Sequence, residues 1–137
     1  MKINKLFRED IELKFKQEDK IELFGDFILI QNAIRNLIDN ALKYAKEDID
    51  PVIEVSTYNH KQHLLISVKD NGIGMTKETV SKIFDKFYRA HTGDVHNVKG
   101  FGLGLNYTRK MVEAHQGSID VQSALNKGSI FKWRSLF

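Results

Sequence analysis

Between Phe27 and Ala45 apolar residues recur at three- and four-residue spacing: Phe27, Ile30, Ile34, Leu37, Ile38, Ala41 and Ala45. A strand cannot bring those positions to one side, whereas a helix advancing about 100° per residue aligns them in one stripe. A stripe of that length must be buried against a second layer, and the rest of the chain supplies strands for it. Residues 11–16 alternate apolar and charged side chains, and residues 53–57 and 64–69 alternate in the same way. His60 to His63 reads as the hairpin connection between the last two. Gly25-Asp26 offers a turn and N-cap before the long helix, and Asp50-Pro51 ends that region.

Further on, residues 76–84 read as a short helix capped by Thr76. Residues 89–99 are polar and aperiodic and contain Gly93, so a loop is expected. Residues 103–115 are helical, with Gly117 as the closing glycine. A last antiparallel pair, 118–123 and 129–137, turns around Asn126-Lys127-Gly128 and puts Phe131 and Trp133 on one face. No repeat or linker interrupts the series. The expected architecture is α+β, a two-layer sandwich rather than a doubly wound parallel sheet. Residues 1–137 are expected to form one domain.

Composition narrows the chemistry. The chain has no cysteine, which excludes disulfides, thiolate zinc sites and a thiol nucleophile. With 42% hydrophobic and 28% charged residues and one proline, bulk disorder is not expected. The longest apolar run, residues 27–30, is far below the ~20 residues of a spanning helix, and residues 1–10 lack a signal-peptide core. A cytoplasmic location is the expectation, as a free protein or as the cytoplasmic part of a membrane-bound one, with no membrane segment in residues 1–137. The net charge of +3 comes from scattered lysines, which points to a solvated surface and not to nucleic acid.

Three groups of residues could carry chemistry. Asn36, Asn40 and Lys43 share one stripe of the long helix, roughly opposite its apolar face. Amide oxygens suit Mg²⁺ and a lysine suits phosphate, although any amphipathic helix has a polar face. Asp70-Asn71-Gly72-Ile73-Gly74-Met75 follows a strand; its glycines allow a close approach to a flat ligand and its carboxylate can accept from an exocyclic amine. An ordinary strand-to-helix turn uses the same residue types. Lys99-Gly100-Phe101-Gly102-Leu103-Gly104-Leu105 leads into a helix, where free N–H groups and the helix dipole attract anions. It lacks the lysine of a Walker loop and the strict dinucleotide spacing.

Taken in order, Asn-Leu-Ile-Asp-Asn-Ala-Leu-Lys-Tyr (36–44), Asp-Asn-Gly-Ile-Gly (70–74), Phe-Asp-Lys-Phe-Tyr-Arg (84–89) and Gly-Phe-Gly-Leu-Gly-Leu (100–105) closely resemble the catalytic domain of sensor histidine kinases. These kinases belong to the wider ATPase group of gyrase B, MutL and heat-shock chaperones. The resemblance runs from about Ile11 onward and implies the Bergerat-type ATP-binding sandwich, a mixed, mostly antiparallel sheet packed on three helices. It implies that Asn40, with Asn36, faces Mg²⁺ and the phosphates. Lys43 would approach the phosphates, and Tyr44 would lie against the nucleotide. Asp70 would accept the adenine amino hydrogen in a pocket shaped by Gly72, Ile73, Gly74 and Met75. Phe84, Phe87 and Tyr88 would anchor a lid over residues 89–101, with Arg89 reaching for phosphate. Lys99, Gly100, Phe101, Gly102, Leu103, Gly104 and Leu105 would bind phosphate at its other end, and Asn36, Lys43 and Arg89 would form the catalytic set.

Two departures stand out. Ser129 occupies a position where the family usually has threonine, so a hydroxyl is kept. The family's phosphoacceptor context, a histidine followed by an acidic residue and then arginine and proline, surrounds none of His60, His63, His91, His96 and His115. The implied activity is therefore transfer of the γ-phosphoryl group of Mg-ATP to a histidine on a separate dimerisation domain, with a response regulator served indirectly. An anti-sigma-type serine kinase or an ATPase of the same group is the alternative. Both usually place a glutamate base where this chain has Asn36, and an amide is no proton acceptor.

Overall fold

The computed structural model describes residues 12–17, 27–60, 63–85 and 104–136. They form strand β1 (Glu12–Gln17), helix α1 (Phe27–Lys43), strands β2 (Val52–His60) and β3 (His63–Asp70), helices α2 (Lys77–Lys82) and α3 (Gly104–Ala114), and strands β4 (Gly117–Ala124) and β5 (Gly128–Leu136). The five strands make one sheet in the order β1-β2-β3-β5-β4. β1 runs parallel to β2 and every other pair is antiparallel, so the sheet is mixed as expected.

Alternation along the strands decides which face meets the helices. Across the sheet Val55, Val68, Phe131 and Val121 stand in register, as do Thr57, Ile66, Trp133 and Ile119. Most of these side chains enter one core with Ala33, Leu37, Ile38 and Ala41 of α1 and Leu105, Met111 and Val112 of α3. Phe131 and Trp133 are almost completely buried at its centre, each worth roughly 3–5 kcal/mol against truncation to alanine. The same period of two carries Leu64, Ile66 and Val68 on to Asp70, which therefore ends β3 facing the helix layer.

Four local expectations need correction. The buried face of α1 is wider than the apolar stripe, because Ala33 and Tyr44 are also buried. Asn36 and Asn40 accordingly lie half-buried at its edge, and of the three only Lys43 is exposed. α1 also stops at Lys43 rather than Ala45, closing on a bond from the Ala45 N–H to the Leu42 carbonyl at 3.2 Å. His60 and His63 are the last paired residues of the β2–β3 ladder, not its connection. After α3 the left-handed position is taken by Gln116 at φ 61°, while Gly117 already begins β4. Gly117 is required for another reason: a side chain there would crowd the Arg134 carbonyl and the Ser135 hydroxyl.

Thr76 does cap α2, its hydroxyl accepting the Thr79 N–H at 3.1 Å. Among the described residues no helix is long and apolar enough to cross a membrane.

Candidate functional site

Asp70 is a carboxylate only 5% exposed at the helix-facing end of β3. Its Oδ1 accepts the Gly72 N–H at 2.9 Å. Burial pushes the carboxyl above its ordinary range, and the N–H groups of Gly72 and Ser129 pull it back only in part. The group is thus fixed in direction by backbone donors while keeping acceptor capacity for another partner.

The turn after Asp70 is stitched on both sides. Ile73 donates its N–H to the Tyr44 carbonyl at the end of α1, 2.8 Å away, and accepts from the Asn126 N–H at 2.7 Å. Lys46 Nζ reaches the Asn126 carbonyl at 3.1 Å. Asn71 accepts from Val52 N–H at 2.9 Å and donates to the Asp50 carbonyl at 3.2 Å, which holds the approach to β2. Gly72 is demanded by contact, since a Cβ would fall on the Tyr44 carbonyl oxygen. Gly128, at φ 81°, is demanded twice over: its Cβ would also strike the Asp70 carbonyl. Met75 donates its N–H to Ser123 Oγ at 2.8 Å, and Ser123 Oγ lies 2.7 Å from Ser129 Oγ.

A second cluster lies farther back along α1. Asn36 Nδ2 donates to the Gly104 carbonyl and to Thr108 Oγ1, both at 3.3 Å, while Thr108 donates to the same carbonyl at 2.8 Å. Asn36 and Tyr44 are eight residues apart, or about 12 Å at a helical rise of 1.5 Å per residue. Near the second cluster, Asn106 Nδ2 donates to the Phe84 carbonyl at 3.0 Å. The Arg109 guanidinium sits 5.7 Å from the Phe84 ring, which packs edge-on against Phe131. The start of α3 thus packs against Phe84, the neighbour of Asp85, and the described residues resume at Gly104, the first residue of α3 itself.

The sequence-derived candidates therefore divide into three sets. Tyr44, Asp70, Gly72, Ile73, Gly74, Met75 and Ser129 come together at the C-terminal end of β3, with Ile73 at the surface and Met75 in the core. Lys43 places its ammonium 5.8 Å from the Tyr44 ring. Asn36 joins Gly104 at the start of α3, where Leu105 turns into the core, and Asn40 lies on α1 between the two groups. Phe87, Tyr88, Arg89, Lys99, Gly100, Phe101, Gly102 and Leu103, and with them the expected lid, lie outside the described residues. Sequence reasoning missed Ser123, Asn106 and Thr108. Each works through a partner at least six residues away or on another element, and nothing in local spacing marks it.

Among the described residues no group of three or more His, Asp or Glu side chains could hold a metal ion. The amide oxygens of Asn36 and Asn40 are hard donors suited to Mg²⁺. An ion held by so few protein ligands draws the rest of its shell from water and phosphate oxygens. The donor set fits magnesium on that condition.

Comparison with known proteins agrees with this fold. The family described as histidine kinase-, DNA gyrase B-, and HSP90-like ATPase matches residues 25–136. The sensor protein RprX of Bacteroides fragilis is 52% identical over 109 residues, covering 80% of this chain and 21% of that protein. The sensor histidine kinase WalK of Bacillus subtilis is 40% identical over 100 residues, 73% of this chain and 16% of its own length. The chain thus spans about a fifth of the length of these curated relatives. Among solved structures, the catalytic domain of histidine kinase ThkA superposes with a TM-score of 0.77 at 26% identity, over 98% of this chain and 84% of that one. The mycobacterial sensor histidine kinase MprB shares the fold with a TM-score of 0.81 at 23% identity, over 98% and 86% of the two chains. With a match over residues 25–136, this chain belongs to the histidine kinase-, DNA gyrase B-, and HSP90-like ATPase family.

Proposed function

We propose that residues 1–137 act as the catalytic ATP-binding domain of a sensor histidine kinase in two-component signalling. The observation that carries this reading is Asp70, a buried carboxylate held by two backbone donors and able to accept the exocyclic amine of adenine. The second cluster lies about 12 Å further back along α1, a spacing suited to the phosphate end of an extended nucleoside triphosphate.

In this reading Gly72, Ile73, Gly74 and Met75 shape the base pocket, Tyr44 backs it, and Ser129 helps orient Asp70. Asn36, Asn40 and Lys43 face the phosphates with the first turn of α3, and Arg89 joins them on the strength of its sequence position. Asn40, assisted by Asn36, would hold Mg²⁺, which supplies charge neutralisation on the phosphates when bound. The reaction transfers the γ-phosphoryl group to the unprotonated imidazole nitrogen: the bond to the ADP oxygen breaks, a P–N bond forms, and the other ring nitrogen gives up its proton. Neutral imidazole is already nucleophilic, so positioning and electrostatics are the chain's contribution. Asn36 supports a kinase over a hydrolase, because an amide is no proton acceptor and cannot serve as a base for water.

The acceptor histidine would belong to a dimerisation domain of the same kinase, from which a response regulator takes the phosphoryl group. Incubation with radiolabelled ATP, with and without that domain, tests this. Acid-labile, base-stable label on the dimerisation domain is expected. Acid-stable label on serine, ATP consumption without an acceptor, or label on one of this chain's own histidines would defeat the reading.

A further inference from the structure

We propose that Thr108, which belongs to none of the motifs above, is a positioning residue of the nucleotide site. It is fully buried, 0% exposed, on the side of α3 that meets α1. Its hydroxyl donates to the Gly104 carbonyl at 2.8 Å and accepts from Asn36 Nδ2 at 3.3 Å, and Asn36 Nδ2 also reaches the Gly104 carbonyl at 3.3 Å. The three groups close a ring between the two helices. Their roles are forced: the carbonyl can only accept, and the single hydroxyl proton is already given to it. The Asn36 atom in the ring must therefore be its NH₂ group.

A threonine bonded to the carbonyl four residues back is ordinarily a local feature of one helix. Here the remaining lone pairs of the hydroxyl take a bond from a residue 72 positions away in the sequence. The hydroxyl thereby fixes two things. It holds the first turn of α3 at a set distance from α1, and it sets the rotation of the Asn36 amide, hence where its oxygen points. In the same helix Leu105 and Met111 pack in the core, so the ring adds direction to a contact that packing alone would leave free to slide.

This inference rests on the proposed nucleotide site, with phosphates lying between α1 and the start of α3. Thr108 would then tune phosphate binding without touching the ligand, while the Asp70 end stays unaffected. The test is calorimetric titration of wild type, Thr108→Val and Thr108→Ser with Mg-ATP and separately with adenosine, alongside thermal unfolding of each protein. Valine keeps the volume but removes both hydrogen-bonding roles. It should weaken Mg-ATP by ~10-fold or more and leave adenosine within about twofold, since losing two hydrogen bonds of modest net worth corresponds to about a tenfold change or more. Serine should return Mg-ATP to within about threefold of wild type, because the hydroxyl is restored. Unchanged Mg-ATP binding in the valine variant would overturn the proposal. So would equal loss of both ligands with a lowered unfolding midpoint, or failure of serine to rescue. Wild type binding neither ligand would instead defeat the nucleotide reading itself, and this inference with it.

Discussion

Ile73 donates its backbone N–H to the carbonyl oxygen of Tyr44 over 2.8 Å. The end of α1 and the turn after β3 are thus held as one piece, with no side chain involved in the bond. Gly72 lies inside this junction, where a Cβ would fall on the same Tyr44 oxygen and come within 2.9 Å of Asp70 Oδ1. The Tyr44 oxygen belongs to the main chain and cannot swing aside, so the backbone itself must move.

Gly72→Ala should therefore destabilise the fold by roughly 1–3 kcal/mol, the usual cost of forcing volume into a packed site. Gly104 offers the contrast. The nearest atom to a Cβ there is Asn36 Cγ at 3.8 Å, an ordinary contact. Gly104→Ala should be neutral or stabilising by up to about 1 kcal/mol from helix propensity. Urea unfolding of the two variants checks the pair, and similar midpoints would contradict the geometry.

Asn36→Asp should be worse than Asn36→Ala. The aspartate keeps the size but turns an oxygen towards the Gly104 carbonyl, which has no proton to offer. An unsatisfied polar group at such a site costs about 1–3 kcal/mol. A protonated carboxyl can donate, so the deficit of the aspartate variant should shrink as pH falls through its pKa. Equal stability of the two variants across that range would show that the ring between Asn36, Gly104 and Thr108 does not form as described.

Gln116 sits at φ 61°, a left-handed conformation that costs a residue with a Cβ about 1–2 kcal/mol. Gln116→Gly should recover part of that, roughly 0.5–1 kcal/mol after the added freedom of the unfolded chain is counted. Gln116→Val should lose stability. Thermal unfolding of both variants would reveal the opposite signs, and a valine variant as stable as wild type would argue against the left-handed turn.

These positions show what the sequence could and could not tell. Alternation is local, so Leu64, Ile66 and Val68 point directly to Asp70 as a carboxylate turned towards the helices. The Thr76 cap is legible for the same reason. Pairing between distant segments leaves no such trace. β3 and β5 are joined through Val68 and Phe131, and β1 lies parallel to β2, yet neither could be read from spacing. Asn36 looked like part of a solvated stripe because its partners stand 68 and 72 residues away. Gly117 looked like a helix-closing residue because glycine is common there. The structure instead uses it for a close approach and lets Gln116 take the strained angle.

The last prediction concerns Asp70, where ligand binding and stability should respond in opposite directions. Its carboxyl is raised above the ordinary 3.8, by burial first, against the N–H groups of Gly72 and Ser129. The folded state then holds this proton to higher pH than the unfolded chain does. Asp70's contribution to stability is complete below the unfolded pKa and is lost as pH rises through the folded one. Asp70→Asn removes that loss. The stability of the variant relative to wild type should accordingly increase as pH rises from 3.8 through the raised pKa and level off above it. Comparing only the difference cancels the other carboxylates, which titrate in both proteins. In binding the order reverses: the amide is a weaker acceptor, so the variant should bind ATP at least ~10-fold less tightly. GTP presents a carbonyl where adenine has its amine, and wild type should reject it. Paired urea titrations from about pH 3 to pH 7, spanning the ordinary carboxylate range, and calorimetry with ATP and GTP give both halves. A flat stability difference would show that Asp70 gains nothing from neutrality. Equal affinity for ATP and GTP would remove it from adenine recognition.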